Sequence, residues 1–484
     1  MNSDNISNIS DFLYHCASIY GERTLFLFDT DKERCTLTYS MFLEATEKCA
    51  LFYEEKGYSG KKKIALLGEN SYEWILNFFA IELSGNIAVL FDKNEKTGRL
   101  KNLAERIDID SIVCSDDYKE EANTISEGKN IKCLSFKEMA DGNPNSIYKR
   151  REILKDEEAV IAFTSGTTGE AKGVILTHNA IVSNTIAGSK VFKCSGKTVL
   201  LLPLNHMYGL NTCLFGSMLF GNTIYINSSL RYIARDIVAI RPDYLLLVPM
   251  MMRSILKVLT EMKTNNMPLP EKIASGGAPL ETDLIDNYNK LGIAIYNAYG
   301  ITECAPGIAI SATPVTGDNF CMKCVCEIII DHPDEKGHGE ILVRGSNLMN
   351  GYYGMKKESD EALSGGWFHT GDIGYLKDDN ITVSGRLKNL IVLPNGENIA
   401  PEELEKDLKT LPDIEEVIVK QVDSDLVAEI YPKDIRNFDA EKEHELKNSV
   451  LKSMIKYPAY KRVNRIEIRN LPFEKTATLK IKRK

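Results

Sequence analysis

The segment AFTSGTTGEAKGVILTH, residues 162–178, concentrates the residue types that bind phosphate. An apolar, strand-like run leads into hydroxyl and glycine residues, and a lysine follows them. Glycines let the backbone approach an anion closely, successive amides and hydroxyls donate hydrogen bonds, and a lysine adds positive charge. The candidate phosphate ligands are Thr164, Ser165, Gly166, Thr167, Thr168, Gly169 and Lys172.

Two standard nucleotide motifs do not fit this segment. A P-loop reads G-x-x-x-x-G-K-[ST], but Ala171 stands at its second glycine and Gly173 follows the lysine. The dinucleotide pattern G-x-G-x-x-G fails as well. Taken alone, the segment is also compatible with a flexible surface hairpin loop, because clusters of Gly, Ser and Thr are common in turns.

Further motifs follow the loop in one order. They are NHMYG (205–209), GGAPL (276–280), NAYGITE (297–303), GEILVRG (339–345), GYYG (351–354), GWFHTGDIG (366–374), GRLKNLIVLPNGENIAPEELE (385–405) and KTATLK (475–480). Together with TSGTTGEAKGV, this series resembles the adenylate-forming superfamily of acyl- and aryl-CoA synthetases, adenylation domains of nonribosomal peptide synthetases, and luciferases. The resemblance covers essentially the whole chain and is most like the pattern of fatty acyl-CoA synthetases.

The resemblance implies a reaction in two halves. A carboxylate attacks the α-phosphate of ATP to give an acyl-adenylate and pyrophosphate, and a thiol then displaces AMP. ATP and Mg²⁺ are the implied cofactors, and CoA or a phosphopantetheinyl carrier is the implied co-substrate. Bringing two anions together requires cations and amides and no protein nucleophile. The chain accordingly has no G-x-S-x-G elbow and no recognisable Cys/His pairing.

The resemblance also implies roles for individual residues. Lys480 would bridge the attacking carboxylate and the α-phosphate, Thr302 would hydrogen-bond the α-phosphate, and Glu303 would hold Mg²⁺, a hard cation that prefers oxygen ligands. The family usually has glycine directly before this lysine, whereas this chain has Leu479. A leucine disfavours positive φ, so the loop can differ in geometry from that of the family.

Other residues would surround the nucleotide and the moving parts. Tyr299 would lie against the adenine face, while Asp372 and Arg386 would bind the ribose hydroxyls. Lys388 would be the hinge about which a small domain rotates, and Gly396 would leave room for a pantetheine arm. The remaining nucleotide contacts implied by the resemblance are Gly277, Ala278, Pro279, Asn297, Ala298 and Gly300.

The residue after the family's pocket histidine bears on the substrate. Amino-acid-activating relatives usually carry an acidic residue there and aryl-acid relatives often carry Asn, but this chain has Met207. A flexible, apolar Met suits an aliphatic or adaptable pocket, so we expect a fatty or other hydrophobic acid. His206, also a catalytic candidate, would either gate this pocket or fill its shape. The predicted pocket wall is His206, Met207, Phe215, Gly277, Gly300 and Pro306.

The elements that must position these residues alternate between two patterns. Runs rich in Val, Ile and Leu, apolar on both faces, recur between segments of helical spacing, which predicts an α/β fold with mostly parallel sheets. Residues 340–386 are Gly-rich and predict a β-rich subdomain. The chain therefore predicts an AMP-binding and acyl-substrate domain of layered α/β subdomains over 1–386, and a small mobile α+β lid with the catalytic lysine over 387–484.

Composition excludes several classes of protein. A formal net charge of -9 argues against a nucleic-acid partner, which would require a basic face. Eleven unevenly spaced cysteines, no signal peptide and no apolar run of membrane-spanning length predict a cytoplasmic protein. Cys321, Cys324 and Cys326 have no partner pair at zinc-site spacing and are expected to be free.

Three functions remain open at this point. The first is an acid:CoA ligase, and the second is a stand-alone adenylation enzyme that loads a separate carrier protein. The third is a non-catalytic nucleotide-binding protein. The joint presence of Lys172, Glu303, Asp372, Arg386 and Lys480 argues against the third.

Overall fold

The computed structural model describes residues 6–30, 32–165, 171–227, 229–316, 321–392, 398–422, 425–475, 481 and 483. The chain divides into two compact units. The first comprises residues 1–327 and 343–368, and the second comprises 328–342 and 369–484. The boundary predicted after Arg386, where a mobile lid over 387–484 would begin, stays a prediction.

Helices follow the apolar spacing of the sequence. Their bounds are α1 Ile9–Tyr20, α2 Tyr39–Glu55, α3 Tyr72–Leu83, α4 Thr97–Ile107, α5 Lys119–Ser126, α6 Phe136–Ala140, α7 His178–Val191, α8 Gly216–Leu219, α9 Ile233–Ile240, α10 Pro249–Thr264, α11 Thr282–Leu291, α12 Lys356–Ala362, α13 Pro401–Leu408 and α14 Ala440–Met454. A π-helix, Tyr208–Phe215, runs directly into α8.

Strands occupy the β-branched runs. In the first half they are β1 Thr24–Asp29, β2 Arg34–Thr38, β3 Lys63–Leu67, β4 Ile87–Leu90, β5 Ser111–Cys114, β6 Lys132–Ser135, β7 Glu158–Ser165, β8 Ala171–Thr177, β9 Lys197–Leu200, β10 Thr223–Ile226, β11 Tyr244–Leu247 and β12 Lys272–Ser275. They continue as β13 Ala294–Gly300, β14 Gly307–Ile310, β15 Met322–Cys324, β16 Glu327–Asp331, β17 Gly339–Arg344, β18 Gly351–Tyr352, β19 Phe368–Lys377, β20 Asn380–Arg386, β21 Ile391–Val392, β22 Asn398–Ile399, β23 Ile414–Val422, β24 Asp425–Pro432 and β25 Arg465–Ile468.

One sheet of the first unit carries the predicted phosphate segment. Its order is β18-β8-β7-β4-β3-β5-β6, and the strands from β7 to β6 in that order are parallel. Both faces of β3 and β4 are apolar and buried, as expected for strands covered on two sides. The chain then turns back from β7 into β8, which is antiparallel, and β18 pairs with β8. Residues 166–170 therefore connect the two strands of a hairpin.

A second sheet of the first unit carries the other nucleotide motifs. Its strands β11, β12 and β13 are parallel, and β14 and β15 continue it antiparallel. The GGAPL segment begins directly after β12, and NAYG forms the end of β13. A smaller sheet, β2-β1-β10-β9, completes the first unit.

The second unit is richer in antiparallel strands. Strands β20, β19, β17 and β16 lie side by side in that order, and β23-β24-β25 form a further sheet. This sheet packs with α13 and α14 around a core that includes Leu404, Val419, Ala428 and Val450.

The α/β fold class is confirmed, as are the β-rich 340–386 segment and the α+β character of the C-terminal part. The apolar stretch 74–91 contains a buried helix and a buried strand. Within the described residues, no helix is both long and apolar enough to cross a bilayer.

Candidate functional site

Two of the predicted phosphate ligands, Thr164 and Lys172, lie near the end of β7 and the start of β8. Thr164 and Lys172 are direct cross-strand partners, one pair before the last pair of the ladder, Ser165 and Ala171. Gly166, Thr167, Thr168 and Gly169 lie outside the described residues, and so does the side chain of Ser165. The structure thus places the lysine beside the glycine-rich segment, as its spacing in the sequence requires.

Tyr352 connects this hairpin to the predicted metal ligand. It pairs with Val174 across the β18–β8 ladder, and its ring lies 4.4 Å from the Lys172 ammonium, a cation–π contact. Its hydroxyl donates a hydrogen bond to Glu303 Oε1 at 3.0 Å. Burial and the adjacent Glu303 carboxylate raise the pKa of Tyr352, so the hydroxyl stays protonated and donates. One side chain therefore contacts both charged residues.

Thr302 and Glu303 begin a tight turn between β13 and β14. The turn opens with a 3₁₀ segment, Thr302–Cys304, and Ala305 adopts the left-handed conformation with φ +57°. The turn is crowded, because a methyl group on Gly300 would lie 2.2 Å from the Pro306 carbonyl oxygen. This crowding explains the glycine at the end of β13.

Buried asparagines, which the sequence patterns did not single out, contact this turn. Asn184 on α7, Asn211 in the π-helix and Asn347 before β18 each donate a hydrogen bond to a carbonyl of residues 304–307. A usable signal existed in LNTCLF (210–215), where an asparagine interrupts an apolar run. Tyr352 also lay within a quoted motif, GYYG, but the resemblance assigned it no role.

The residues expected around adenine lie on neighbouring strand ends. Asn297 pairs with Ser275 across β12 and β13, and its backbone amide donates to Ser311 Oγ at 3.1 Å. Ala298 and Tyr299 pair with Ile310 and Ala309 of β14. Gly277, with φ +79°, Ala278 and Pro279 follow β12. The structure brings these residues to adjacent strands, and their adenine contacts stay predictions.

The ring of Tyr208 packs against Gly276, the first glycine of the GGAPL segment. Its buried hydroxyl donates to the carbonyls of Leu247 and Ala274, each at 3.2 Å. A methyl group on Gly276 would lie 3.2 Å from the Tyr208 ring. Any larger side chain would therefore push the loop away from the ring, which accounts for glycine here.

The predicted acyl-pocket residues fall into two environments. His206 Nε2 is buried and has no hydrogen-bond partner among the described residues, and burial lowers the pKa of His206. Asn70 clamps the preceding loop, since its amide donates to Leu202 O at 2.8 Å and its oxygen accepts from Leu204 N at 2.9 Å. A neutral imidazole is thus held with one ring nitrogen available.

Met207, Pro306 and Phe215 are all buried. Phe215 is enclosed by other rings, with centroids of Phe12 at 4.8 Å and Phe79 at 5.2 Å. This position in an aromatic core was not anticipated, and a role for Phe215 in the pocket wall stays a prediction.

The second unit contains the predicted ribose ligands. Asp372 and Arg386 face each other across β19 and β20, with Arg386 Nε 2.6 Å from Asp372 Oδ1. Asp372 is only 3% exposed, and its amide donates to Thr370 Oγ1 at 3.0 Å. The carboxylate is thereby fixed in a definite orientation. Lys388 is exposed in the 3₁₀ turn that follows, and partial desolvation and the charge of Arg386 lower its pKa.

Lys480 and Gly396 lie outside the described residues. The chain on both sides of Lys480 is nevertheless anchored. Lys475 forms an ion pair with Glu416 at 2.5 Å and a β-bridge with Ile481. Arg483 forms an ion pair with Glu405 on α13.

The described residues offer carboxylate ligands for a metal ion shared with a substrate, but no cluster of protein ligands that would hold one alone. No cluster of three or more His, Cys, Asp or Glu residues suited to a metal ion occurs within the described part of the chain, which includes Cys321, Cys324 and Cys326. Mg²⁺ commonly binds through one or two carboxylates together with substrate phosphates and water. Glu303 is a half-buried carboxylate, and Tyr352 contacts both it and Lys172, so Glu303 fits such shared coordination.

Comparison with known proteins identifies the class. The family model described as "AMP-binding enzyme" matches residues 13–353, and the chain belongs to this family.

Individual relatives extend the likeness over most of the chain. The 2-succinylbenzoate–CoA ligase of Bacillus mycoides (strain KBAB4) is 26% identical over 433 residues, 85% of each chain. The 4-coumarate–CoA ligase 1 of Arabidopsis thaliana is 29% identical over 89% of this chain and 83% of its own. The solved O-succinylbenzoate coenzyme A synthetase of Bacillus subtilis, in complex with ATP and magnesium ion, has a TM-score of 0.83 and 24% identity, covering 97% of this chain and 98% of its own. This last likeness shows the fold.

Proposed function

We propose that the protein is an AMP-forming acid:CoA ligase that activates a carboxylic acid with ATP. The observation that carries the proposal is the arrangement of Lys172, Tyr352 and Glu303. A lysine beside a glycine-rich hairpin and a carboxylate suited to Mg²⁺ contact the same tyrosine. A polyphosphate bound with a divalent cation requires both groups close together.

The proposed reaction has two steps. A carboxylate oxygen of the acid forms a bond to the α-phosphorus of ATP, and the bond from that phosphorus to the bridging oxygen breaks, releasing pyrophosphate. The sulfur of CoA, as thiolate, then bonds to the acyl carbon. The bond from that carbon to the AMP oxygen breaks, and AMP leaves. The family and the names of its relatives support this sequence.

In the first half-reaction, Lys172 and the 164–169 loop would bind the phosphates, and Thr302 would donate to the α-phosphate. Glu303 would hold Mg²⁺, which when bound neutralises phosphate charge. Lys480 would be the cation between the two reacting anions.

The second unit would bind the ribose through Asp372 and Arg386, and its part after Lys388 would move between half-reactions. Asp372, oriented by Arg386 and Thr370, is a ready acceptor for ribose hydroxyls. Rotation at Lys388 would remove Lys480 and admit the pantetheine arm past Gly396.

The acid is proposed to be hydrophobic, and aromatic acids are the first class to test. Met207 is buried and uncharged, so no carboxylate follows His206 to pair with an amino group. The two relatives described above are named for 2-succinylbenzoate and 4-coumarate. Those names favour aromatic acids over the fatty acids expected from the sequence. They also favour CoA over a carrier protein as acceptor.

Acid-dependent exchange of labelled pyrophosphate into ATP tests the first half-reaction. The panel would contain hydroxycinnamic, benzoic, fatty and amino acids. We expect exchange with aromatic acids and none with amino acids, and acyl-CoA formation when CoA is added. Exchange with no acid would overturn ligase activity, while exchange with fatty acids alone would overturn the aromatic assignment.

A further inference from the structure

We propose that Asn184, Asn211 and Asn347 form an amide cradle that positions Glu303 for Mg²⁺ and couples it to the acyl-binding segment. These three are positioning residues, because each contacts the backbone of the turn after Glu303. The inference rests on the proposed function.

Five consecutive carbonyls of the turn each accept a hydrogen bond. The donors, in order from the carbonyl of residue 303 to that of residue 307, are the Met349 amide (2.9 Å), Asn347 Nδ2 (3.1 Å), Asn211 Nδ2, the Ile301 amide (2.9 Å), and Asn184 Nδ2 (2.7 Å) together with Asn347 Nδ2 (3.2 Å). Asn184 Oδ1 also accepts from Gly307 N at 3.1 Å. A turn whose carbonyls are all bound has a fixed path, so the Glu303 side chain leaves the backbone in a fixed direction.

The cradle is costly to disturb. Asn184, Asn211 and Asn347 are 6%, 1% and 4% exposed, and Ala305, which Asn211 contacts, is fully buried. Removing such a donor leaves a buried carbonyl unsatisfied. Because Gly300 already touches the Pro306 carbonyl, the turn has little space in which to relax. We therefore expect a displaced Glu303 rather than a repaired hydrogen bond.

Asn211 also connects the cradle to the predicted acyl pocket. It belongs to the π-helix that directly follows Met207, and inserted π-turns occur frequently at functional sites. Its oxygen accepts from the Thr185 hydroxyl, and its amide also reaches Asn184 Oδ1 at 3.4 Å. A shift of the segment around Met207 would therefore displace Asn211, and with it the hydrogen bond that Asn211 donates to the turn after Glu303.

A matched control exists elsewhere in the first unit. Asn77 is fully buried and satisfies three partners, since it accepts from Tyr53 Oη at 2.7 Å and donates to the carbonyls of Glu73 and Phe136 at 2.8 and 3.0 Å. Its replacement by leucine removes a comparable set of buried hydrogen bonds without contacting the turn. N77L therefore reports the general cost of losing a buried asparagine.

The test is direct metal binding by the full-length protein. Mn²⁺, a substitute for Mg²⁺, is titrated in the presence of ATP, and free Mn²⁺ is measured by electron paramagnetic resonance for wild type, N211L, N347A and N77L. We expect N211L and N347A to weaken Mn²⁺ binding by about tenfold or more, as changes to residues that support metal ligands commonly do. N77L should lower the melting temperature but leave Mn²⁺ binding unchanged.

Coupling is read from the same proteins by pyrophosphate exchange. In N211L both the KM for the acid and the Mn²⁺ dissociation constant should rise. In N347A only the Mn²⁺ dissociation constant should rise. Unchanged Mn²⁺ binding in folded N347A or N211L would overturn the cradle, and N347A decides alone if N211L does not fold. Equal weakening in N77L would also overturn it. If wild type itself binds no Mn²⁺–ATP, the proposed function fails instead.

Discussion

Each of the two units supports its own candidate functional residues, and the two use different chemistry to do so. In the first unit, neutral amides from Asn184, Asn211 and Asn347 fix the turn beside Glu303. In the second unit, charges hold the chain around Lys480, through the pairs Lys475–Glu416 and Arg483–Glu405. Neutral hydrogen bonds are directional and independent of pH, whereas ion pairs depend on protonation and on salt. Glu303, a proposed metal ligand that must stay in place, is thus supported by neutral hydrogen bonds. Lys480, which is proposed to move, lies in a segment held by ion pairs.

Removing the lysine itself should give the largest effect. Lys480→Ala takes away the proposed cation between two reacting anions, so pyrophosphate exchange should fall by about 10²–10³-fold. Thioester formation from a preformed acyl-adenylate should fall much less, because that step needs the lysine withdrawn. The exposed Lys452 on α14 supplies the control, and K452A should leave both steps intact. Equal losses in the two half-reactions would contradict the assignment of charge neutralisation to the second unit.

The second-largest effect should come from protonation of Glu405, which should change the stability of the second unit. Burial raises the pKa of Glu405 from 4.5 to about 7, although Arg483 opposes the rise. A folded-state pKa above the unfolded value means a stability contribution present in full below pH 4.5 and lost as the pH rises through 7. The difference amounts to at most about 3 kcal/mol. Hydrogen exchange over residues 414–432, corrected for intrinsic rates, should therefore report weaker protection at pH 8 than at pH 5.

E405Q provides the comparison for this pH dependence. Glutamine cannot ionise, so the wild-type minus E405Q difference in opening free energy should change by up to about 3 kcal/mol between pH 5 and 8, in the sense that favours wild type at pH 5. Glu403, on the same helix and paired with Lys461, serves as the control, because E403Q removes a carboxylate from α13 without removing the Glu405–Arg483 pair. A flat E405Q difference would show that Arg483 keeps the carboxylate charged.

The sequence predicted most of the helices and strands of both units, but few of the side-chain contacts that support the candidate functional residues. Strands such as β3 and β4 are apolar on both faces, and α3 begins at Ser71, whose side chain accepts from Trp74 N, so their patterns carry their structure locally. The motifs placed Lys172 and Glu303 in the predicted 1–386 domain, and in the structure both residues belong to the first unit.

The cradle could not be predicted in this way. Its asparagines are separated by 27 and 136 residues and meet only through the packing of a helix, a π-helix and a loop. No local periodicity encodes such a meeting. Phe215 shows the same limit, because its sequence neighbours suggested a pocket, whereas its contacts with Phe12 and Phe79 depend on distant helices.

The smallest effect concerns the hydrogen bond between the Tyr352 hydroxyl and Glu303, the proposed metal ligand. Tyr352→Phe removes the hydrogen bond to Glu303 but keeps the ring beneath Lys172. We expect the Mg²⁺ concentration for half-maximal pyrophosphate exchange to rise about fivefold, corresponding to about 1 kcal/mol for one hydrogen bond. The adjacent Tyr353 accepts from Lys63 Nζ at 2.7 Å, so Y353F loses a hydroxyl of similar setting and should leave the Mg²⁺ requirement unchanged. A lower requirement in Y352F would mean that the tyrosine competes with Mg²⁺ for the carboxylate instead of orienting it, and the orientation of Glu303 would then have to come from other contacts, the amide cradle among them.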